Sequence, residues 1–472
     1  MIARVGDHGD QDLVATAGPE LEAALATFVK DNRLPGGAAG VVCGDELIWS
    51  AGVGFAELAA GKATDPAGLY AIASITKTFT GTAIMQLGDA GRLDLDDPAV
   101  AWLPELRQAV SPFGPVEAVT IRRMLSHESG LPAEPPGTDW AVPVYQGEPS
   151  RTLGQASAIA VVCPPNAQHK YSDLAYQLLG EIVTRVSGSP YPQYVREAIL
   201  EPLGMAATAF RPLPEELSAR CATGYDWRAL SDELDPAPAM PLIWAEGGLW
   251  SCVADLATWL SFQLRAYRDP PAEMPVLSSA TLRQMHKPRY LADDDWAEAW
   301  GISWCATRQN DVVWIRHSGG VPGFTSTVCF DPKTQVGAIA LLNATTASAA
   351  LAMDLAMRVR ALVRAQPPSI QLPAAAPREY LPLLGIYARP GFGGWLIRLE
   401  WRDGKLTFTT PESTAWQVIL SPTSAPDSFS IESGSGLAGE HVYFHRLVDG
   451  KVASVLLMDT TWQRLEPPTA FE

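Results

Sequence analysis

Residues 70–91 read YAIASITKTFTGTAIMQLGDAG. Within this stretch Phe79, Ala83, Ile84 and Leu87 recur at helical spacing and Gly91 supplies a stop, which predicts a helix with Ser74 at its start. Ser74 and Lys77 lie three apart on that helix and share a face, so the amine can approach the hydroxyl. A serine hydroxyl is a poor nucleophile until a neighbour takes its proton. A lysine does so only where burial or nearby charge lowers its pKa. At a helix N-terminus the backbone N–H of Ser74 is free to stabilise an oxyanion, and the helix dipole has the right sign. Taken alone, S-x-x-K also describes an ordinary first helical turn, so the chemistry requires partners from elsewhere in the chain.

Outward from this helix, two apolar runs from Ala38 to Phe55 flank Gly44-Asp45 and predict a β-hairpin. From about Asp94 to Leu264 the period is mainly helical, as in Leu178, Leu179, Ile182, Val183 and Val186 before Gly188, with proline-rich loops between. Strand patterns return at Val312 to Ile315, Thr325 to Phe330 and Gly337 to Leu342. Sheet residues from both ends thus enclose a helical insertion. Residues 365–377 (AQPPSIQLPAAAP) suit a semi-rigid linker. Beyond it, Trp395 to Trp401, Leu406 to Thr410, His441 to Leu447 and Val452 to Met458 read as short strands with Asp-Gly turns, fitting a small β-barrel or sandwich. The expected division is a catalytic domain over 1–364, with its helical part over 94–264, and a β-domain over 378–472.

The bulk numbers exclude some functions. With 35 Lys+Arg against 52 Asp+Glu in 472 residues, the net charge of -17 repels phosphate backbones and anionic lipid, so no nucleic-acid or membrane partner is expected. No window approaches the ~18 to 20 apolar residues of a membrane span. The first residues lack the apolar stretch of a secretory signal, which gives a cytoplasmic expectation. Cys43, Cys163, Cys221, Cys252, Cys305 and Cys329 show neither paired short spacing nor a histidine at metal-ligand distance, so free thiols and no metal are expected.

Two further motifs follow Ser74-Ile75-Thr76-Lys77 in order: Tyr171-Ser172-Asp173 and His317-Ser318-Gly319-Gly320. The set resembles the three motifs of the penicillin-binding protein and class C β-lactamase superfamily, which includes esterases and D-amino-acid-specific peptidases. The resemblance runs over roughly residues 20 to 360, because 119–132 (VTIRRMLSHESGLP) and 246–251 (EGGLWS) are similar to that family as well. It implies an α/β fold: a class C β-lactamase-like mixed α/β domain with an all-helical subdomain and the site in the groove between them. The C-terminal β-domain would be lipocalin-like.

Carried over residue by residue, the resemblance makes Ser74 the nucleophile, Lys77 the partner that lowers its pKa, and Tyr171 the shared base, a role requiring Lys77 to stabilise its phenolate. His317-Ser318-Gly319 stands where the family has Lys-Thr-Gly, with the backbone N–H of Gly320 as second oxyanion donor. A lysine there offers a fixed charge to a substrate carboxylate, whereas His317 is largely neutral near pH 7, so carboxylate recognition is weakened. Asp173 replaces a common asparagine, turning a donor into an acceptor. Asp173 would pair with Lys77 in a supporting role, orienting it while raising its pKa. Trp244 and Trp250 are expected at the pocket wall.

These features point to a cofactor-free serine hydrolase that acylates Ser74 and cleaves carboxylic esters, with a small-molecule ester or peptide as its partner. The alternatives are an amidase, peptidase or thioesterase acting on D-configured or cyclic peptides, a weak β-lactamase, and a non-catalytic sensor or scaffold. Oligomeric state is not legible. The G-x-G-x-x-G match at Gly434–Gly439 leads into a strand and is expected to be a hairpin loop, and no G-x-S-x-G elbow occurs.

Overall fold

The computed structural model describes all residues except 1–6, 137–148, 228–233, 238–244, 269–273, 293–296, 310–311, 347, 366–375, 389–395, 403, 411–412, 434–437, 458–459 and 466–472. Two compact units result, Ile2–Gln366 and Pro367–Glu472.

The first unit is organised by an antiparallel nine-stranded sheet. Its order is Lys62–Ala63, Glu46–Glu57, Gly36–Cys43, Val336–Leu342, Phe324–Asp331, Val312–Val321, Cys305–Gln309, Glu298–Trp300 and Tyr290–Leu291. Both ends of the unit meet at its centre, where Gly37 pairs with Leu342 and Cys43 with Val336. The hairpin turns at Gly44, whose φ of 61° favours glycine. Gly36–Cys43 and Val336–Leu342 are buried throughout, so both sheet faces are covered.

On one face lie the helices Asp7–Asp31 and Ser348–Ala365, with Leu21, Leu25, Val29, Leu355 and Val359 over Val41, Trp314 and Ala340. On the other lies Val253–Arg265, and Phe79 of the helix Thr76–Asp89 stacks on its Trp259 at 3.9 Å. Each such buried aliphatic side chain contributes about 1.5 to 3 kcal/mol. Gly40 lets the helix approach: a Cβ there would lie 2.4 Å from Val253 Cγ1. Val253–Arg265 therefore belongs to the sheet layer, which corrects its assignment to the helical insertion. The insertion itself also holds short strands, among them Ala209–Phe210 and Leu249–Ser251, the latter paired with Tyr70–Ala71. Two or three residues are too few to display alternation.

The expected strand at Val312 to Ile315 continues to Val321, because Phe324–Asp331 pairs with it through the two glycines. Ala365 closes a helix, and residues 366–375 of the expected linker lie outside the described residues. In the second unit eight strands, from Gly385–Ala388 to Thr460–Arg464, form a closed barrel in chain order, sealed by Tyr387 opposite Arg464. Tyr387, Phe408, Phe444 and Val455 fill its interior. The Gly434–Gly439 segment joins two of its strands, with 434–437 outside the described residues. No helix among the described residues is long and apolar enough to cross a membrane. Of the six cysteines, five are buried.

Candidate active site

Ser74 sits in a single 3-10 turn, Ala73–Ile75, immediately before the Thr76–Asp89 helix. As the second residue of a helical turn its N–H has no intrahelical acceptor. From Leu69 to Met85 every residue is buried except Ser74. The preceding Ala73 has φ 46°, a left-handed conformation that costs a non-glycine residue of order 1 to 3 kcal/mol. The surroundings impose it. The Ile72 N–H donates to Leu249 O (3.0 Å), and the Ile72 carbonyl accepts the Ser326 hydroxyl (2.8 Å). Gly319 lies against the same turn, for a Cβ there would sit 2.2 Å from Ile72 O and 3.0 Å from Ala73 Cβ.

Lys77 is fully buried, its ammonium donating to Ser74 Oγ at 3.0 Å and Glu246 O at 2.5 Å and forming an ion pair with Asp173 Oδ1 at 2.5 Å. Burial is the largest single influence and pushes the Lys77 pKa down. The charges and hydrogen bonds of Asp173 and Tyr171 together outweigh it, so the ammonium is held above its ordinary value. The Tyr171 phenol is likewise held above its ordinary value, with burial prevailing over the pull of Lys77 and of its hydrogen bonds with Ser74 and Lys77. The resting pair is an ammonium and a phenol. Because Lys77 donates to Ser74 Oγ, the serine hydroxyl hydrogen is free to turn to another acceptor.

His317 is buried at the strand edge, 5.4 Å from Trp300 between ring centroids. Its Nδ1 lies 2.8 Å from Ser318 O, a carbonyl that can only accept, so Nδ1 carries the proton and Nε2 presents a lone pair. That Nε2 is buried without a hydrogen-bond partner. Burial first, and the Lys77 charge second, push the His317 pKa down to about 3, so the ring is neutral. The adjacent cation is committed elsewhere, because Arg316 pairs with Glu298 and donates to Thr307 Oγ1 at 2.6 Å. Ser318 Oγ accepts the Thr327 hydroxyl at 2.9 Å. On the strand Val312–Val321 the neighbour Cys305–Gln309 reaches only Val312 to Arg316, so the same edge from His317 to Gly320 has no strand partner among the described residues. Gly320 is exposed, which suits its N–H to a second oxyanion contact.

The structure thus joins Ser74, Lys77, Tyr171 and Asp173 around one ammonium and sets His317, Ser318, Gly319 and Gly320 on the strand beside them. Trp244 lies outside the described residues. Trp250 is buried, with Arg211 4.2 Å above its ring and Phe324 edge-on at 5.3 Å, so its contacts are those of core packing and not of a pocket wall. Sequence reasoning missed His127, whose ring stacks on Tyr171 at 4.2 Å. It also missed the Glu246 carboxyl, buried with its pKa pushed up to about 8, chiefly by desolvation. Both stood in stretches already marked as family-like, which was the available signal.

A family model described as Beta-lactamase matches residues 21–361. Protein flp of Staphylococcus aureus strain N315 is 27% identical over 333 residues, which is 69% of this chain and 62% of that protein, so the match spans less than two thirds of that relative. Among solved structures, the octameric penicillin-binding protein homologue from Pyrococcus abyssi aligns over 94% of this chain and 99% of its own, with 24% identity and a TM-score of 0.62. A class C β-lactamase from Rhodobacter sphaeroides aligns over 72% of this chain and 98% of its own, with 21% identity and a TM-score of 0.59. At these identities the structural likeness is one of fold.

Proposed function

The chain belongs to the Beta-lactamase family, whose fold is that of serine hydrolases, and from that premise we propose that it hydrolyses carboxylic esters through an acyl-enzyme on Ser74. In the form in which Tyr171 has first released its phenolic proton to solvent, the Ser74 oxygen bonds to the carbonyl carbon while its proton passes to the Tyr171 phenolate, and the oxyanion is received by the N–H groups of Ser74 and Gly320. The proton then goes to the departing alcohol. Water attacks the acyl-enzyme, returns a proton through the same phenol and releases the acid.

The observation carrying the choice of substrate is His317. It is a neutral ring with a bare Nε2 where a carboxylate-binding cation would stand, and the neighbouring Arg316 is already paired. That position favours a neutral acyl group or one bearing an N–H or O–H donor over an anionic one. An amidase is the second reading, since the proton that Tyr171 takes from Ser74 would be available to an amine leaving group, which must be protonated to depart.

The test follows chromophore release from p-nitrophenyl acetate and butyrate, D-Ala-p-nitroanilide and nitrocefin, with wild type and Ser74→Ala. Turnover of the two esters, lost in the variant, is the expected result. Release from the anilide or from nitrocefin alone would transfer the assignment to an amidase or a β-lactamase.

A further inference from the structure

We propose that His127 is a positioning residue that fixes Tyr171 against Ser74 by gripping three consecutive residues of the loop that carries the phenol. The proposal rests on the reading that Tyr171 receives the Ser74 proton. His127 follows the helix Ile121–Leu125, is fully buried and has φ 59°. Its carbonyl accepts the Lys170 N–H at 2.7 Å, its Nδ1 accepts the Ser172 N–H at 3.1 Å, and its ring lies on that of Tyr171 at 4.2 Å and 27°. Tyr171 is therefore held on its face and on both chain neighbours by one residue.

The contact with Ser172 is obligatory. Ser172 caps the helix Asp173–Ser187, its Oγ accepting from Ala175 N at 3.0 Å and donating to Pro132 O at 2.6 Å. The N–H of a capping residue stands outside the helix ladder, and Ser172 is buried, so that N–H needs an acceptor that the helix cannot give. The acceptor is His127 Nδ1, which fixes the tautomer: the proton resides on Nε2, in a ring set at 90° to Trp300 with centroids 4.8 Å apart. Burial, with the Lys77 charge added, holds the ring in this neutral form. A misplacement of about 1 Å in a reacting group costs on the order of 100-fold in rate, so release of this grip is expected in kcat before binding.

Two variants of the full chain separate positioning from mere packing. Asparagine and glycine both accept a left-handed backbone, but only asparagine offers an oxygen where Nδ1 stood. With p-nitrophenyl butyrate as substrate, His127→Asn is expected to keep kcat within about tenfold, whereas His127→Gly loses about 100-fold in kcat with KM nearly unchanged. Equal losses in the two folded variants, or a loss expressed in KM, would overturn the proposal. Should the glycine variant melt below the assay temperature, His127→Asn decides alone: a folded protein that has lost 100-fold or more contradicts the grip, and one within tenfold supports it. Ser74→Ala and Tyr171→Phe are run alongside. Undiminished turnover in either defeats the proton route itself, a failure distinct from that of the His127 series.

Discussion

Lys77→Met is expected to lower kcat/KM for p-nitrophenyl esters by about 10⁴-fold, a loss typical of removing one member of a catalytic unit. The size follows from the number of contacts one ammonium makes: it donates to Ser74 Oγ and Glu246 O, forms an ion pair with Asp173 Oδ1 and stands 5.1 Å from the centre of the Tyr171 ring. Without it the developing negative charge on the serine and phenol oxygens has no counter-ion, and Ser74 loses the donor that leaves its own proton free to turn to Tyr171. Stability falls as well. Methionine fills the volume but leaves Asp173 without its cation, costing about 3 kcal/mol, the lower end of the range for a broken buried pair because the Asp173 side chain is 18% exposed. Chemical denaturation of Lys77→Met beside a Lys77→Met/Asp173→Leu double variant separates the effects: stability is expected to recover in the double variant and activity is not. A single variant that turns over ester at the parental rate would remove Lys77 from the mechanism.

Asp173→Asn is expected to move the acid limb of the pH–rate profile to lower pH. The sign follows from what the carboxylate does to both partners. Its charge favours the Lys77 ammonium and disfavours a Tyr171 phenolate, so it holds both protons on. Activity that requires the Tyr171 proton to leave appears only above the corresponding limb. Removing the charge lowers both, leaving Tyr171 alone to oppose the burial that pushes the lysine down. A limb displaced by a single unit makes the variant about tenfold faster than its parent at pH values below both limbs. Asparagine keeps the size of the side chain and restores the donor more usual in the family's motif, so the change is electrostatic in the main. A limb that stays in place, or moves to higher pH, would show that Asp173 does not control these protons.

The order of the three motifs was legible because each has a local cause: helical spacing after Ser74, a capped helix after Tyr171, a strand leading into His317. What the sequence concealed lies in distances across the chain. Asp173 was expected to pair with Lys77, but the net direction, upward for both Lys77 and Tyr171, depends on a 2.5 Å contact weighed against burial. The left-handed Ala73 carries no signal in residue type, since alanine gives no preference for φ 46° and the neighbours impose it. The role of His127 gave no local signal because its partners, Lys170 to Ser172, are more than forty residues away. In the fold, the strand read over Val312 to Ile315 in fact continues through the glycine pair at 319–320 to Val321, held by pairing with Phe324–Asp331. The flanking helices Asp7–Asp31 and Ser348–Ala365 went unread although Leu21, Leu25 and Val29 have the spacing, because alanine-rich stretches blur the contrast between faces.

The most direct measurement is rapid acid quench of wild-type protein turning over p-nitrophenyl butyrate, followed by intact mass and peptide mapping. A butyryl adduct confined to the peptide holding Ser74, and absent from Ser74→Ala, is the predicted result. An adduct on another residue, or ester turnover that persists in Ser74→Ala, would contradict the assignment of Ser74 as the nucleophile.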